Sequence, residues 1–369
     1  MKLQRTSRIA ALLCASTLAL AACSDDDQGG STTSEGGSGS GGSSLSGTLN
    51  GGGSSAQEAA MEAWRAGFGE ANPGVTVNYD PAGSSAGREQ FLSGGLAFAG
   101  SDAALDEEEI ASGTTRCEGG NAIDLPLYIS PIAVIYNLEG VEELNLDAAT
   151  TAKIFNVQIT KWNDPAIQAL NEGVELPDLD ITAVHRQDGS GTTNNFTDYL
   201  ADAAGSDWPY EADSDWTAPG GEAAQGTSGV VAAVEGGNGT IGYADLSRAE
   251  GLGVANIKIG EEFVAPSAEG AAKAVETAER VSGRPEGDIS LEIDRATTDP
   301  TDYPITLVAY SIVCTSYPDA AQGELVKAFF TYVASEEGQQ AAADNAGSAP
   351  ISDALRTDVL AAVEAITAG

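Results

Sequence analysis

The chain has 369 residues, 42% of them hydrophobic: enough length for about two domains of roughly 150 residues each, with ample apolar content for ordinary cores. Its 17 Lys and Arg against 55 Asp and Glu give a formal net charge of -38, a field that repels nucleic acids and anionic lipid surfaces. The same field opposes an anionic ligand, so any anion site must rest on short-range donors, backbone N–H groups and a well-placed arginine, and not on a basic surface.

At the N-terminus Lys2, Arg5 and Arg8 precede an apolar run that ends Leu20-Ala21-Ala22-Cys23 and turns polar at Ser24. These are the marks of an export signal, and the run is too short for a comfortable membrane span. Its ending resembles the bacterial lipoprotein signal. Residues 1–22 are therefore expected to be a lipoprotein signal peptide and Cys23 the lipidated first residue of an extracytoplasmic, membrane-anchored chain. An ordinary signal peptide with an incidental cysteine is the alternative. Residues 23–45 are rich in Ser and Gly and read as a flexible tether, about 25 Å between its ends for roughly 20 residues of random coil. Cys14 falls in the signal, which leaves Cys117 and Cys314. Two thiols in an oxidising compartment invite a disulfide, with two separate buried thiols as the alternative.

After the tether, short apolar strands alternate with amphipathic helices, the pattern of α/β layers with mainly parallel sheets. Residues 47–49 read as a strand, then a Gly-rich turn, then a helix over 56–68 with Ala60, Ala63, Trp64 and Phe68 at helical spacing. A second strand over 75–79 leads through Gly83-Ser84-Ser85-Ala86-Gly87 into a helix carrying Phe91 and Leu92. Residues 181–184 are again strand-like, followed by His185-Arg186-Gln187-Asp188-Gly189-Ser190-Gly191-Thr192 and a helix with Phe196, Tyr199 and Leu200 spaced for burial. The Gly/Asp-rich stretch 202–229 reads as surface loop, with Trp208 and Trp216 in local packing. A long apolar strand over 305–314, a helix over 322–333 with Leu325, Phe329 and Phe330 inward, and a last helix over 353–366 complete the chain.

The first amides of a helix have no intrahelical partner, and the aligned peptide dipoles place partial positive charge there, so helix starts attract anions. Glycine lets the backbone close on a ligand, and Ser or Thr adds a hydroxyl donor. Gly51-Gly52-Gly53-Ser54-Ser55, Gly83-Ser84-Ser85 and Gly189-Ser190-Gly191-Thr192 all meet that description. One alone would be a plain N-cap. The first turn also satisfies Gly51-x-Gly53-x-x-Ala56, a variant of the dinucleotide fingerprint. That motif needs an acidic residue about 20 positions on, and Asp80 is too late, in a turn before Pro81. The lysine of a P-loop is missing as well.

These residues resemble the phosphate-binding subunit of bacterial phosphate ABC importers over nearly all of the chain after the tether. The resemblance runs through residues 49–64, 77–105 with Gly100-Ser101-Asp102-Ala103, 154–171 with Lys161-Trp162-Asn163-Asp164, 185–192, 239–243 and 303–306. It implies a type II periplasmic-binding-protein fold, two α/β lobes with mixed sheets joined by two crossing hinge strands. Lobe I would be 46–128 and 306–369, and lobe II 129–305. It implies phosphate ligands at Ser55, Ala56, Ser84, Asp102, Arg186, Ser190, Gly191 and Thr192, with Asp188 orienting Arg186. Many relatives carry an aromatic residue where this chain has Ala56, a contact made through the backbone amide. Asp102, acceptor-only when ionised, would receive the proton of hydrogen phosphate and reject sulfate. The partners implied are phosphate and membrane permease subunits for a monomeric binding subunit, with no enzymatic activity, no cofactor and no metal. The rival readings are a receptor for another oxyanion, a surface adhesin or phosphate sensor on the same fold, and an extracellular phosphatase using Ser190 with His185, the one histidine.

Overall fold

A computed structural model describes residues 45–368, so residues 1–22, Cys23 and all but the last residue of the expected tether lie outside the described residues. The chain runs β1 (Gly47–Gly53), α1 (Glu58–Ala71), β2 (Val75–Asp80), α2 (Ser84–Leu92), β3 (Phe98–Ser101) and α3 (Glu107–Arg116). β1 pairs in parallel with β2 on one side and β3 on the other, so three strand-to-helix turns leave the same edge of the sheet. In open α/β sheets that edge is where ligands bind. Helix α1 holds its place by burying Ala60, Met61, Trp64 and Phe68 along one face.

β4 (Ala122–Asn137) follows, and every residue but Asn137 is buried, which accounts for its nearly unbroken apolar sequence. The next elements are β5 (Asn145–Leu146), α4 (Ala148–Phe155), α5 (Pro165–Leu170), β6 (Thr182–Arg186), α6 (Gly191–Ala204), β7 (Glu222–Ala224), α7 (Gly226–Gly236) and β8 (Thr240–Asp245). Then come β9 (Gly253–Val254), β10 (Asn256–Ile259), β11 (Glu262–Val264), α8 (Ala268–Thr277), β12 (Glu279–Arg280), β13 (Leu291–Glu292) and β14 (Thr306–Cys314). The chain closes with β15 (Ser316–Tyr317), α9 (Ala320–Ala334), α10 (Glu336–Ala346), α11 (Asp353–Glu364) and β16 (Thr367–Ala368).

The main sheet runs β2-β1-β3-β14-β4-β8-β6-β7, and β4 joins its two halves. Residues 122–131 of β4 pair antiparallel with β14, and residues 132–137 pair antiparallel with β8. Pro131, which has no N–H, stands at the change of partner, where a ladder donor would be hardest to satisfy. The returning chain crosses there: Ile132 N donates to Ile305 O at 2.8 Å and the Tyr303 hydroxyl to Ile132 O at 3.0 Å. Cys117, just after α3, is bonded to Cys314 at the end of β14, S–S 2.05 Å, across a sequence separation of 197. Closing a loop of that size contributes about 5 kcal/mol in the chain-entropy account.

Three local readings are corrected by the structure. Gly51, Gly52 and Gly53 belong to β1 and not to a turn. A Cβ on Gly51 would lie 2.1 Å from the Phe98 ring, and one on Gly53, at φ +136, 2.0 Å from Gly100 O, so these glycines let β3 and its phenylalanine close on β1. Asp80 likewise ends a strand. Residues 202–229 are not all loop: they hold the end of α6, a 3-10 turn at Gly205–Asp207, β7 and the start of α7.

Asp245, at the end of β8, spans the change of partner. Its buried carboxylate accepts from Tyr128 of β4 at 3.0 Å and from Ser247 N and Oγ at 3.0 and 2.6 Å. Burial pushes the Asp245 carboxyl up to about 6, against the hydrogen bonds from Ser247 and Tyr128 that favour the charged form. The folded state therefore keeps this proton to higher pH than the unfolded chain, and unfolding releases it between about pH 4 and 6. Stability falls as pH rises through that window, by about 3 kcal/mol for a shift of about two units. Unfolding free energies of the wild type and Asp245→Asn are expected to diverge by that amount across the window, the wild type losing relative to the variant. A pH-independent difference would contradict it.

Candidate functional site

The turn after β1 is tied down by its own polar groups: Ser54 N donates to Gly100 O at 2.7 Å and the Tyr79 hydroxyl to Ser54 O at 2.8 Å. The turn after β2 ends in Gly83 at φ +108, where a Cβ would sit 2.6 Å from Asp188 Oδ2, so only glycine lets the start of α2 approach the β6–α6 turn. Ser85 N donates to Gly189 O at 3.1 Å across the same gap. Gly191, first in α6, lies against Asp102 after β3, and a Cβ on it would be 2.6 Å from that of Asp102. Ser55 Oγ bonds Thr227 Oγ1 at 3.0 Å and accepts from Thr227 N at 3.1 Å, which draws in the start of α7. Residues far apart in sequence thus share one buried network, with Ser55 6%, Ser84 1%, Asp102 3%, Arg186 3%, Ser190 1% and Thr192 1% exposed.

The donors outnumber the acceptors. The amides of Ser55, Ser84, Gly191 and Thr192 make no hydrogen bond among the described residues, as expected of turns feeding helix starts. Arg186, at the end of β6, donates Nε to Asp188 Oδ1 at 2.9 Å and Nη2 to Asp188 Oδ2, leaving Nη1 without a partner among the described residues. Burial pushes Asp188 up, but the hydrogen bonds and charge of Arg186, with the Gly226 amide at 2.8 Å, outweigh it and hold the carboxyl below its usual range. Asp188 thus stays ionised and fixes the guanidinium plane.

Asp102 is the exception among these donors. Its Oδ2 accepts from Thr192 Oγ1 at 3.0 Å, and its Oδ1 is buried without a partner. Burial raises its pKa, while the nearby Ser54 hydroxyl, the bond from Thr192 and the charge of Arg186 pull the other way. A buried acceptor left unpaired costs about 1–3 kcal/mol. A ligand with several acceptor oxygens and one O–H would satisfy both the amides and this carboxylate.

Each expected ligand group has a defined state. Ser84 Oγ accepts from Asp102 N at 3.2 Å and keeps its proton to donate. Ser190 caps α6, its Oγ accepting from Thr193 N at 3.2 Å, while its own amide goes to Ser214 O at 2.9 Å. The Ala56 amide, the contact expected of that residue, is already engaged by Ser54 Oγ at 3.1 Å. Thr227 and Gly226 enter the network unforeseen, and Ser54, part of the first candidate turn, enters as the partner of the Ala56 amide. For Thr227 a signal existed, since Gly226-Thr227-Ser228 precedes the apolar spacing of Val230 and Val234, a helix-start pattern. His185 stacks on Trp216, centroids 4.8 Å apart at 10°, and its Nδ1 meets Arg186 O at 3.0 Å. Among the described residues it makes no bond to Ser190, so no Ser–His pair forms. No group of His, Cys, Asp and Glu among them is arranged to hold a metal, and no helix among them is long and apolar enough to cross a membrane.

A mixed sheet shared by two halves, joined where β4 and the returning chain before β14 cross, with helix starts from both halves meeting at one buried cluster, defines a periplasmic-type solute-binding protein. Residues 38–337 match the PBP superfamily domain. Within it the chain belongs to the PstS family of phosphate-binding proteins. It is 39% identical over 375 residues to phosphate-binding protein PstS 2 of Mycobacterium tuberculosis, covering 100% of both chains. It is 40% identical over 319 residues to PstS 3 of Mycobacterium leprae, covering 84% of this chain and 85% of that one. The solved structure of PfluDING, a high-affinity periplasmic phosphate-binding protein bound with phosphate, shares the fold at TM-score 0.69 and 22% identity, covering 85% of this chain and 93% of that one.

Proposed function

We propose that this chain captures inorganic phosphate outside the cytoplasmic membrane and delivers it to the permease subunits of an ABC importer. The observation that carries the reading is an unpaired buried acceptor, Asp102 Oδ1, in a network with amides and hydroxyls that can only or chiefly donate. Hydrogen phosphate matches that set. Its oxygens take the amides of Ser55, Ser84, Gly191 and Thr192, the hydroxyls of Ser84 and Ser190, and Arg186 Nη1, and its single O–H goes to Asp102. Fully deprotonated sulfate would meet the carboxylate with lone pairs and like charge. The mycobacterial relatives named for phosphate binding support the same ligand.

The two halves that meet at Pro131 act as lobes, 46–128 with 306–369 and 129–305. Closure buries the anion and presents a new face to the permease, so the ligand works by shifting a population of forms. Cys23 carries the lipid anchor, and the protein acts as a monomer. The test is to identify and quantify the anion released when the purified protein is denatured, followed by calorimetric titration with phosphate and sulfate. Stoichiometric phosphate and strong preference over sulfate are expected. Tighter binding of another oxyanion, or turnover of a chromogenic phosphate ester, would overturn the reading.

A further inference from the structure

Asn195, on α6 and 6% exposed, is not among the groups that could touch the anion, yet it holds two that do. Its Nδ2 donates to the backbone carbonyl of Asp102 at 2.7 Å and to that of Gly191 at 2.9 Å. One amide thus ties the acceptor carboxylate, which arrives from β3, to the first donor of α6 on the opposite side of the cleft. Its other end is set by Arg295, 5% exposed, whose Nη2 donates to Asn195 Oδ1. A guanidinium has only donors and a carbonyl only acceptors, so the amide has one workable orientation: turned over, it would set donor against donor and oxygen against two carbonyl oxygens.

Arg295 is itself held at the crossing of the two halves. Its Nη1 donates to Pro304 O at 2.9 Å and Thr306 O at 2.7 Å, at the entry to β14, and its Nε to Asp198 Oδ2 at 3.0 Å. The network therefore runs from the crossing strand through Arg295 and Asn195 to Asp102. The bonds from α6 to Asp102 run between the two halves, so separating the halves would break them.

We propose that Asn195, oriented by Arg295, is a positioning residue for anion selectivity: it seats Asp102 against the start of α6 as the cleft closes. This deepens the phosphate reading and rests on it. Asn195→Asp is the sharpest test, because it keeps the shape and the bond to Arg295 while turning the donor that faces Asp102 O and Gly191 O into an acceptor.

Calorimetric titration with phosphate and with sulfate, stopped-flow release of phosphate, and thermal midpoints without anion are compared for wild type, Asn195→Asp, Asn195→Ala and Arg295→Met. Asn195→Asp is expected to weaken phosphate binding by at least about tenfold, to lower the phosphate-over-sulfate ratio by at least about tenfold, and to speed release, with the anion-free midpoint close to wild type. Asn195→Ala and Arg295→Met should show the same loss of ratio in smaller degree, and Asn195→Ala carries the test if the aspartate variant does not fold. An unchanged ratio overturns the inference, and so does an equal loss of affinity for both anions or a loss that only follows a collapsed midpoint. A wild type that binds no phosphate overturns the phosphate reading itself, and this inference with it.

Discussion

Arg186→Ala is expected to weaken phosphate binding by about 100-fold or more. Breaking one side of a buried charge pair costs about 3–5 kcal/mol, much of it from the charge left behind. Here the remnant is Asp188, 9% exposed in its side chain, which would keep the Gly226 amide and lose both bonds from the guanidinium. An unpaired carboxylate would then stand beside an incoming anion. Arg88, the other cation whose charge reaches Asp102, is already paired with Glu109 at 2.8 Å and offers no substitute. Removing Asp188 as well should recover part of the loss, because the repulsion goes with it. Calorimetry checks both variants, and an affinity of Arg186→Ala within about threefold of wild type would contradict the role given to this residue.

Asp102→Asn is expected to act on discrimination more than on phosphate affinity, lowering the phosphate-over-sulfate ratio by about 100-fold or more. Sites that match one buried polar group to one ligand proton discriminate by about 10,000-fold, because the wrong ligand leaves that group unpaired and, here, faces like charge. Asparagine removes the charge and can turn an N–H toward the ligand, so sulfate would gain a donor where it had met lone pairs. Competition titrations at fixed ionic strength read the ratio directly. A variant that rejects sulfate as strongly as wild type would move the discrimination elsewhere in the site.

The parts of the site that could be read along the chain are those whose chemistry is local. Small hydroxylated residues before an apolar helical period mark a helix start, and unpaired amides follow from that start alone, so the turns at Ser84 and at Ser190 to Thr192 were visible in sequence. Arg186 and Asp188, two positions apart at a strand end, were too. The Gly51 to Gly53 run reads as a turn for the converse reason: its cause is the Phe98 ring and the Gly100 carbonyl, more than 40 positions further on, and nothing nearby tells a strand glycine from a turn glycine. Thr227 lies inside a stretch that reads as loop, and its partner Ser55 is 172 positions away.

What the amino-acid order determined by itself was the kind of structure and the stock of donors: alternating strands and helices, starts rich in Gly, Ser and Thr, and an acidic chain that must hold an anion by short-range bonds. What only the tertiary structure decided was which of those donors already have a partner. The Ala56 amide is taken by Ser54, Thr192 spends its hydroxyl on Asp102, and Asp102 keeps one oxygen bare. Asn195 is aimed by an arginine 100 positions away. Hydrogen bonds fall off within a few tenths of an ångström, so their bookkeeping is a property of packed coordinates, whereas helix starts and strand periods need only a few neighbouring residues to declare themselves.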